Sequence, residues 1–347
     1  MSVKLIAGPC SAESSEQVLG TAALLALQSG SFAKAGFSLE GFRAGVWKPR
    51  TRPGGFDGLG ETALPWLKEA QSVTGVPSMV EVASPQHVEC ALKAGIRTMW
   101  LGARTVTNPF DVQAIADALK GESADVFVKN PINPDTELWI GALERIMNAG
   151  AGRVCAIHRG FSFYEKSRYR NSPKWQVPID LKCRMPEIEL YCDPSHIGGS
   201  RDLIGEISQK ALDLGFDGLF VECHCTPDEA LSDSYQQLTP AELAQILSSL
   251  VVRDLSSSDN SDEALSRLRE KIDLIDGNLL DLLCERMNVV KEIGTYKKER
   301  NLTILQQDRW EKVLEKVSQG AKERALDESF VRELFKLIHQ ESIDRQS

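Results

Sequence analysis

The chain has 347 residues, too many for one average domain and suited to a large domain joined to a small one. It is 42% hydrophobic and 26% charged, which excludes an intrinsically disordered chain. A formal net charge of −9 argues against nucleic acid or an anionic membrane as the main partner, yet leaves room for a local basic pocket and a small anionic substrate.

No signal peptide is expected, because Met1–Ser2–Val3–Lys4–Leu5–Ile6 runs straight into Ala7–Gly8–Pro9–Cys10. No apolar run approaches the ~20 residues of a membrane span. The eight cysteines lack zinc-finger spacing, and free thiols in a soluble cytoplasmic protein are expected.

Short β-rich runs recur at residues 4–7, 41–46, 78–82, 98–102, 125–129, 153–158, 189–192 and 218–222. Segments of helical character, such as 61–73 and 202–214, separate them. Eight alternating units in some 250 residues predict an α/β fold, a (β/α)8 TIM barrel, with a doubly wound sheet as the alternative. A polar stretch around Ser256–Ser257–Ser258–Asp259 follows, and beyond it there is no proline and only Gly277, Gly294 and Gly320. The expected organisation is a barrel over 1–254, a linker over 255–261 and a small all-α domain over 262–347.

In that last part Leu265, Leu268, Ile272, Ile275, Leu279, Leu282, Met287, Val290 and Ile293 recur in threes and fours. The spacing predicts one helix roughly 55 Å long. It is too long to pack alone, so partner helices from a second subunit are expected. Two shorter helices follow near 306–318 and 327–346, with Gly320 between them.

Chemistry in such barrels sits at the C-terminal ends of the strands. Those positions hold Cys10; Arg43, Lys48 and Arg50; Glu81; Arg104; Lys129; His158 and Arg159; Asp193 and His196; and Glu222 with His224, Asp233 lying in the next loop. One such residue is usually a solvated rim charge, but eight strands all ending in polar groups point to a site. Arg43, Lys48, Arg50, Arg104, Lys129 and Arg159 make a cationic well, which predicts a polyanionic substrate carrying phosphate or carboxylate. Cys10, His196, Glu222 and Asp233 offer S, N and O donors suited to Mn, Fe, Co or Zn and hence to Lewis-acid catalysis.

Several runs resemble the 3-deoxy-D-arabino-heptulosonate 7-phosphate (DAHP) synthases. They are Ala7–Gly8–Pro9–Cys10–Ser11–Ala12–Glu13–Ser14, Lys48–Pro49–Arg50–Thr51, Gly102–Ala103–Arg104, Asp193–Pro194–Ser195–His196, and the stretch from Glu222 through Ser232–Asp233 to Gln236–Gln237–Leu238. The match spans residues 1 to about 250 and looks like the shorter branch of the family, without a regulatory extension ahead of the first strand. The resemblance implies condensation of phosphoenolpyruvate with erythrose 4-phosphate. Arg43, Lys48, Arg104, Lys129 and Arg159 would hold phosphoenolpyruvate, and Lys48, Pro49, Arg50 and Thr51 the erythrose phosphate. Cys10, His196, Glu222 and Asp233 would bind a divalent cation, Mn²⁺ or a similar transition metal, with Lys48, Cys10 and His196 in the catalytic set. This sequence departs from the family pattern at Arg52, commonly Ser, and at His158, commonly Glu. The sister reading is a 3-deoxy-D-manno-octulosonate 8-phosphate synthase, which the Lys48–Pro49–Arg50–Thr51 run disfavours.

The tail resembles the all-helical chorismate mutases at Leu268–Arg269–Glu270–Lys271–Ile272–Asp273, Leu282–Leu283–Cys284–Glu285–Arg286, Gly294–Thr295–Tyr296–Lys297 and 341–346. That implies rearrangement of chorismate to prephenate in a cage of Arg269 from the partner subunit, Arg286, Lys297, Arg309, Ser342 and Gln346, with Arg286 and Lys297 catalytic. Some family members carry acidic residues where Gln306 and Trp310 stand here. A homodimer or larger assembly through the helical domain follows from the resemblance. Two further readings of the tail are a feedback sensor for chorismate or prephenate that inhibits the barrel, and a plain dimerisation bundle.

Overall fold

The computed structural model of the chain describes residues 2–48, 54–164, 167–253, 263–303 and 307–346. Pro49, Arg50, Thr51, Arg52, the expected linker and Gln306 lie outside the described residues. The chain divides into two compact units, Met1–Leu255 and Ser256–Ser347.

In the first unit, strands β1 (Val3–Gly8), β2 (Phe37–Arg43), β3 (Ser78–Val82), β4 (Thr98–Leu101), β5 (Asp125–Lys129), β6 (Val154–His158), β7 (Glu189–Cys192) and β8 (Gly218–Glu222) close in sequence order. All neighbours are parallel, and Gly8 of β1 lies opposite Glu222 of β8. The second strand differs from expectation. Its register pairs Val3 with Phe37, so the strand begins four residues earlier than the apolar run, which Ser38 and Glu40 interrupt. It also stops at Arg43, because Gly45 leaves the ladder to bond with the Cys10 carbonyl and the Ala12 N–H.

Two apolar layers hold the barrel. The larger lies between strands and outer helices; the smaller fills the interior with Ile6, Met79, Trp100, Phe127, Cys155, Ile157, Tyr191 and Phe220. Strand side chains alternate in direction, so the residue two places beyond an interior one faces inward again, nearer the C-terminal mouth. Phe127 is followed in this way by Lys129, Tyr191 by Asp193 and Phe220 by Glu222, all buried. An aromatic floor therefore carries a ring of charged groups. At the opposite mouth Arg153 and Lys4 both meet Glu189, and Arg153 donates to the Tyr191 hydroxyl at 2.7 Å.

The second unit is three helices, Glu263–Glu299, Gln307–Glu323 and Glu328–Asp344. Gly320 does not separate the last two as expected; it lies inside the middle helix, where one glycine costs only ~1 kcal/mol. The turn comes later, where Ala325 takes a left-handed φ of 53° and the Asp327 side chain accepts from the Phe330 N–H. No helix among the described residues is long and apolar enough to cross a membrane.

Candidate active sites

Arg43 rises from the end of β2 over the aromatic floor, its guanidinium carbon 4.5 Å from the Phe220 ring centre and 5.1 Å from that of Trp100. Its Nη2 donates to Glu222 Oε1 at 2.9 Å, a pair that is almost wholly buried. Gly8 makes this approach possible, because a Cβ there would lie 2.1 Å from the Arg43 carbonyl oxygen. Lys129 Nζ donates to Asp193 Oδ2 at 2.9 Å. Burial pulls this ammonium below its usual range, and Asp193 only partly restores it.

Cys10 follows β1. Its Sγ lies 3.5 Å from Asp233 Oδ2 and 3.3 Å from Lys48 Nζ, and Lys48 also donates to the Cys10 carbonyl at 2.9 Å. Donor atoms of Cys10, Glu222 and Asp233 all lie within 4.8 Å of one another. Burial, then Glu222, pushes the Cys10 thiol up to about 12, with Asp233 adding to the shift. Burial opposes the charge on Lys48, but Cys10, Glu81 and Glu222 outweigh it and hold the ammonium above its usual value. Burial opposes the charge on the half-buried Asp233 carboxyl, which is nonetheless held well below the carboxylate range by His196 and Arg170.

His196 sits just outside that trio, its Nε2 3.8 Å from Glu222 Oε1. Asp193 caps the short helix carrying it, accepting from the His196 N–H at 3.0 Å, and its Oδ2 lies 2.8 Å from His196 Nδ1. With Nδ1 on the Asp193 side, Nε2 is left facing Glu222, the side a metal-ligating histidine would present. Burial lowers the His196 ring, favouring the neutral form a metal requires. A buried thiol that ionises only beside a cation, two carboxylates and a neutral imidazole fit a first-row transition metal.

Arg159 Nη1 donates to Asn171 Oδ1 at 2.8 Å, and its N–H donates to Asn130 Oδ1 at 2.7 Å. Burial lowers this guanidinium to about 10, Asp193 opposes the shift, and Arg170 and Arg104 reinforce it. Arg104 is exposed on the short helix Ala103–Val106. His158, expected among the mouth groups, turns away from them. Ile157 belongs to the barrel interior, so alternation sends His158 into the outer layer among Trp139, Phe161, Trp175 and Phe216.

In the helical unit Arg286 Nη1 donates to Ser342 Oγ at 2.6 Å, and Gln346 Nε2 donates to the Ser342 carbonyl at 2.9 Å. Gly294 lets the last helix approach, since a Cβ there would lie 3.1 Å from Gln346 Cα. Lys297 lines a cleft of about 410 Å³ with Val289, Ile293 and Tyr296. Trp310 stacks on His339, ring centres 3.9 Å apart. Arg269 and Arg309 are exposed. Arg269 stands seventeen residues before Arg286 on one helix, about 25 Å away along its axis.

Arg170, Asn130 and Asn171 join this cluster without having been expected there, as do Gln236 and Gln237, which the sequence offers only as part of a motif. Loop polar residues carry no periodicity, so nothing local marks these as inward-facing. The sequence model of the DAHP synthetase I family matches residues 2–255, and that of chorismate mutase type II matches residues 268–347. The phospho-2-dehydro-3-deoxyheptonate aldolase of Thermotoga maritima is 32% identical over 235 residues, covering 67% of this chain and 64% of that relative. The chain thus spans just under two thirds of that relative's length. A 2-dehydro-3-deoxyphosphooctonate aldolase of Syntrophotalea carbinolica is 25% identical over 283 residues, 75% of this chain and 94% of that one. Among solved structures, the crystal structure of phospho-2-dehydro-3-deoxyheptonate aldolase (DAHP synthase) from T. maritima gives a TM-score of 0.60 at 27% identity, covering 71% of this chain and 67% of that chain. A truncated form of 3-deoxy-D-arabino-heptulosonate 7-phosphate synthase from the same organism gives 0.56 at 26%, covering 71% and 84%.

Proposed function

The chain belongs to the DAHP synthetase I family, and from that premise we propose that the barrel, residues 1–254, condenses phosphoenolpyruvate with erythrose 4-phosphate to give DAHP and phosphate. The observation that carries this reading is the cationic group of buried Arg43 and Lys129 and half-buried Arg159 beside the Cys10, Glu222 and Asp233 donors. Arg43, Lys129, Arg159 and the exposed Arg104 bind the phosphate and carboxylate of phosphoenolpyruvate, where guanidinium forks match the oxygen geometry. Lys48 with Pro49, Arg50 and Thr51 receives the erythrose phosphate. Cys10, His196, Glu222 and Asp233 hold a divalent cation, Mn²⁺ or a similar transition metal, which supplies Lewis-acid polarisation of a carbonyl when bound. The buried walls order both substrates so that C3 of phosphoenolpyruvate meets the aldehyde carbon, and water enters at C2 as phosphate departs. Lys48, kept protonated by its anionic neighbours, is the proton donor to the aldehyde oxygen.

The test is loss of phosphoenolpyruvate absorbance after chelation and again after Mn²⁺ is restored, with arabinose 5-phosphate in parallel. Turnover that returns with metal and only with the four-carbon sugar is expected; metal-independent turnover, or none with either sugar, overturns the reading.

The helical unit, residues 262–347, is proposed to rearrange chorismate to prephenate. The Arg286–Ser342–Gln346 cluster with Lys297 and Arg309 supports a cage for two carboxylates that favours the compact transition state. Arg269 is too far along its helix to join its own cage, which supports delivery from a partner in a homodimer. Arg286→Ala in the full chain is expected to cut prephenate formation by at least ~100-fold, on the order of the loss of one preorganised charge contact. Prephenate or chorismate bound there is proposed to inhibit the barrel. An unchanged DAHP synthase rate across a prephenate titration would sink that regulatory arm.

A further inference from the structure

Gln236 and Gln237 are adjacent in the loop after β8, 1% and 0% exposed, and the reaction as written uses neither. Their amides serve different partners. Gln236 Nε2 donates to Glu222 Oε2 at 2.7 Å, while its Oε1 accepts from Arg170 Nη1 at 2.7 Å. The same Arg170 Nη1 donates to Asp233 Oδ1 at 3.0 Å. Gln237 Oε1 accepts from the Cys10 N–H at 2.9 Å, and its Nε2 donates at 2.8 Å to the carbonyl of Ser232, the residue before Asp233. Each member of the sulfur and carboxylate trio is therefore tied to this pair, directly or through one group.

We propose that Gln236 and Gln237 are positioning residues that hold the Cys10, Glu222 and Asp233 donors at metal-binding separation, Gln236 doing so by sharing Arg170 with Asp233. The inference rests on the metal reading given above. Glutamine suits the task because it donates and accepts at once and carries no charge. A carboxylate at either position would add a further negative charge to an already anionic cluster, and an ammonium would compete with the cation. The loop also needs restraint, because Asp233 takes a left-handed φ of 48°, a conformation that persists in a non-glycine residue only when its surroundings fix it. Arg201 supplies part of that restraint, donating to the Gln237 carbonyl at 2.7 Å and the Ser234 carbonyl at 3.0 Å.

The experiment titrates the full chain, stripped of metal by chelation, with Co²⁺. It reads the near-ultraviolet thiolate-to-Co²⁺ charge-transfer band, a dissociation constant by chelator competition and the melting temperature of the metal-free protein. Gln236→Met and Gln237→Met keep length and bulk but remove both hydrogen-bonding ends. Each is expected to weaken Co²⁺ binding by ~10- to 100-fold and to alter the thiolate band, the usual cost of losing an outer partner of a ligand. Gln236→Glu keeps the acceptor for Arg170 but turns a carboxylate oxygen on Glu222, and is expected to bind no better than Gln236→Met. Methionine variants with the parent constant and band overturn the proposal. A parent protein without the band, or a band that survives Cys10→Ser, overturns the metal reading itself. If Gln236→Met does not fold, Arg170→Met decides, since Arg170 is 47% exposed at the outer end of the chain of contacts; an unchanged constant there removes the shared-arginine role.

Discussion

His158 shows how one residue's environment outweighs its position. Its ring lies 5.3 Å from that of Trp175, 5.7 Å from Phe161, 6.1 Å from Phe216 and 6.4 Å from Trp139, and it is fully buried. Burial lowers its pKa to about 3. The fold thus accepts only the neutral ring, whereas the unfolded chain takes up a proton below pH ~6.5. Stability present above pH ~6.5 is therefore lost as pH falls toward 3, by about 2 kcal/mol at pH 5. The check is thermal melting at pH 7 and pH 5 for the parent and for His158→Phe, which cannot titrate; the parent is expected to lose more between the two pH values. Equal losses would mean that the ring titrates normally.

At the scale of elements, seven of the eight strands were legible to within about two residues, because parallel strands buried on both faces read as short apolar runs. The second was not, since Ser38 and Glu40 sit in it with polar side chains. The charged strand ends were legible because each follows directly on such an apolar run, at Arg43, Glu81, Lys129 and Glu222. Asn130, Asn171 and Arg170 were not, because they belong to loops whose course is set by tertiary contacts. Junctions between elements carry their own test at Gly8, where β1 passes β2. Gly8→Ala places a methyl 2.1 Å from the Arg43 carbonyl, and backbone cannot yield as a flexible side chain can. A loss on the order of 3 kcal/mol in denaturant unfolding is expected, together with weaker phosphoenolpyruvate binding. A variant of parental stability would show that the two strand ends can part freely.

At the scale of the whole molecule, the first helix of the second unit leaves Leu268, Ile272, Ile275, Leu279 and Leu282 each more than half exposed. A stripe at helical spacing is larger than a monomer usually presents to water. Covering it against a second copy would contribute roughly 1.5–3 kcal/mol per fully buried side chain, and would bring in the partner's Arg269. Ile275→Asp is expected to shift the chain from dimer to monomer in sedimentation and to abolish prephenate formation. A monomeric parent chain would refute the shared cage outright.

The aromatic floor has an optical consequence. Trp100 is fully buried, with the Arg43 guanidinium 5.1 Å from its ring centre. Indole emission responds to nearby charge, and this charge is held against Glu222 at 2.9 Å. A ligand that draws Arg43 away from Glu222 is therefore expected to change the emission of this indole, an optical signal from beneath the mouth of the barrel.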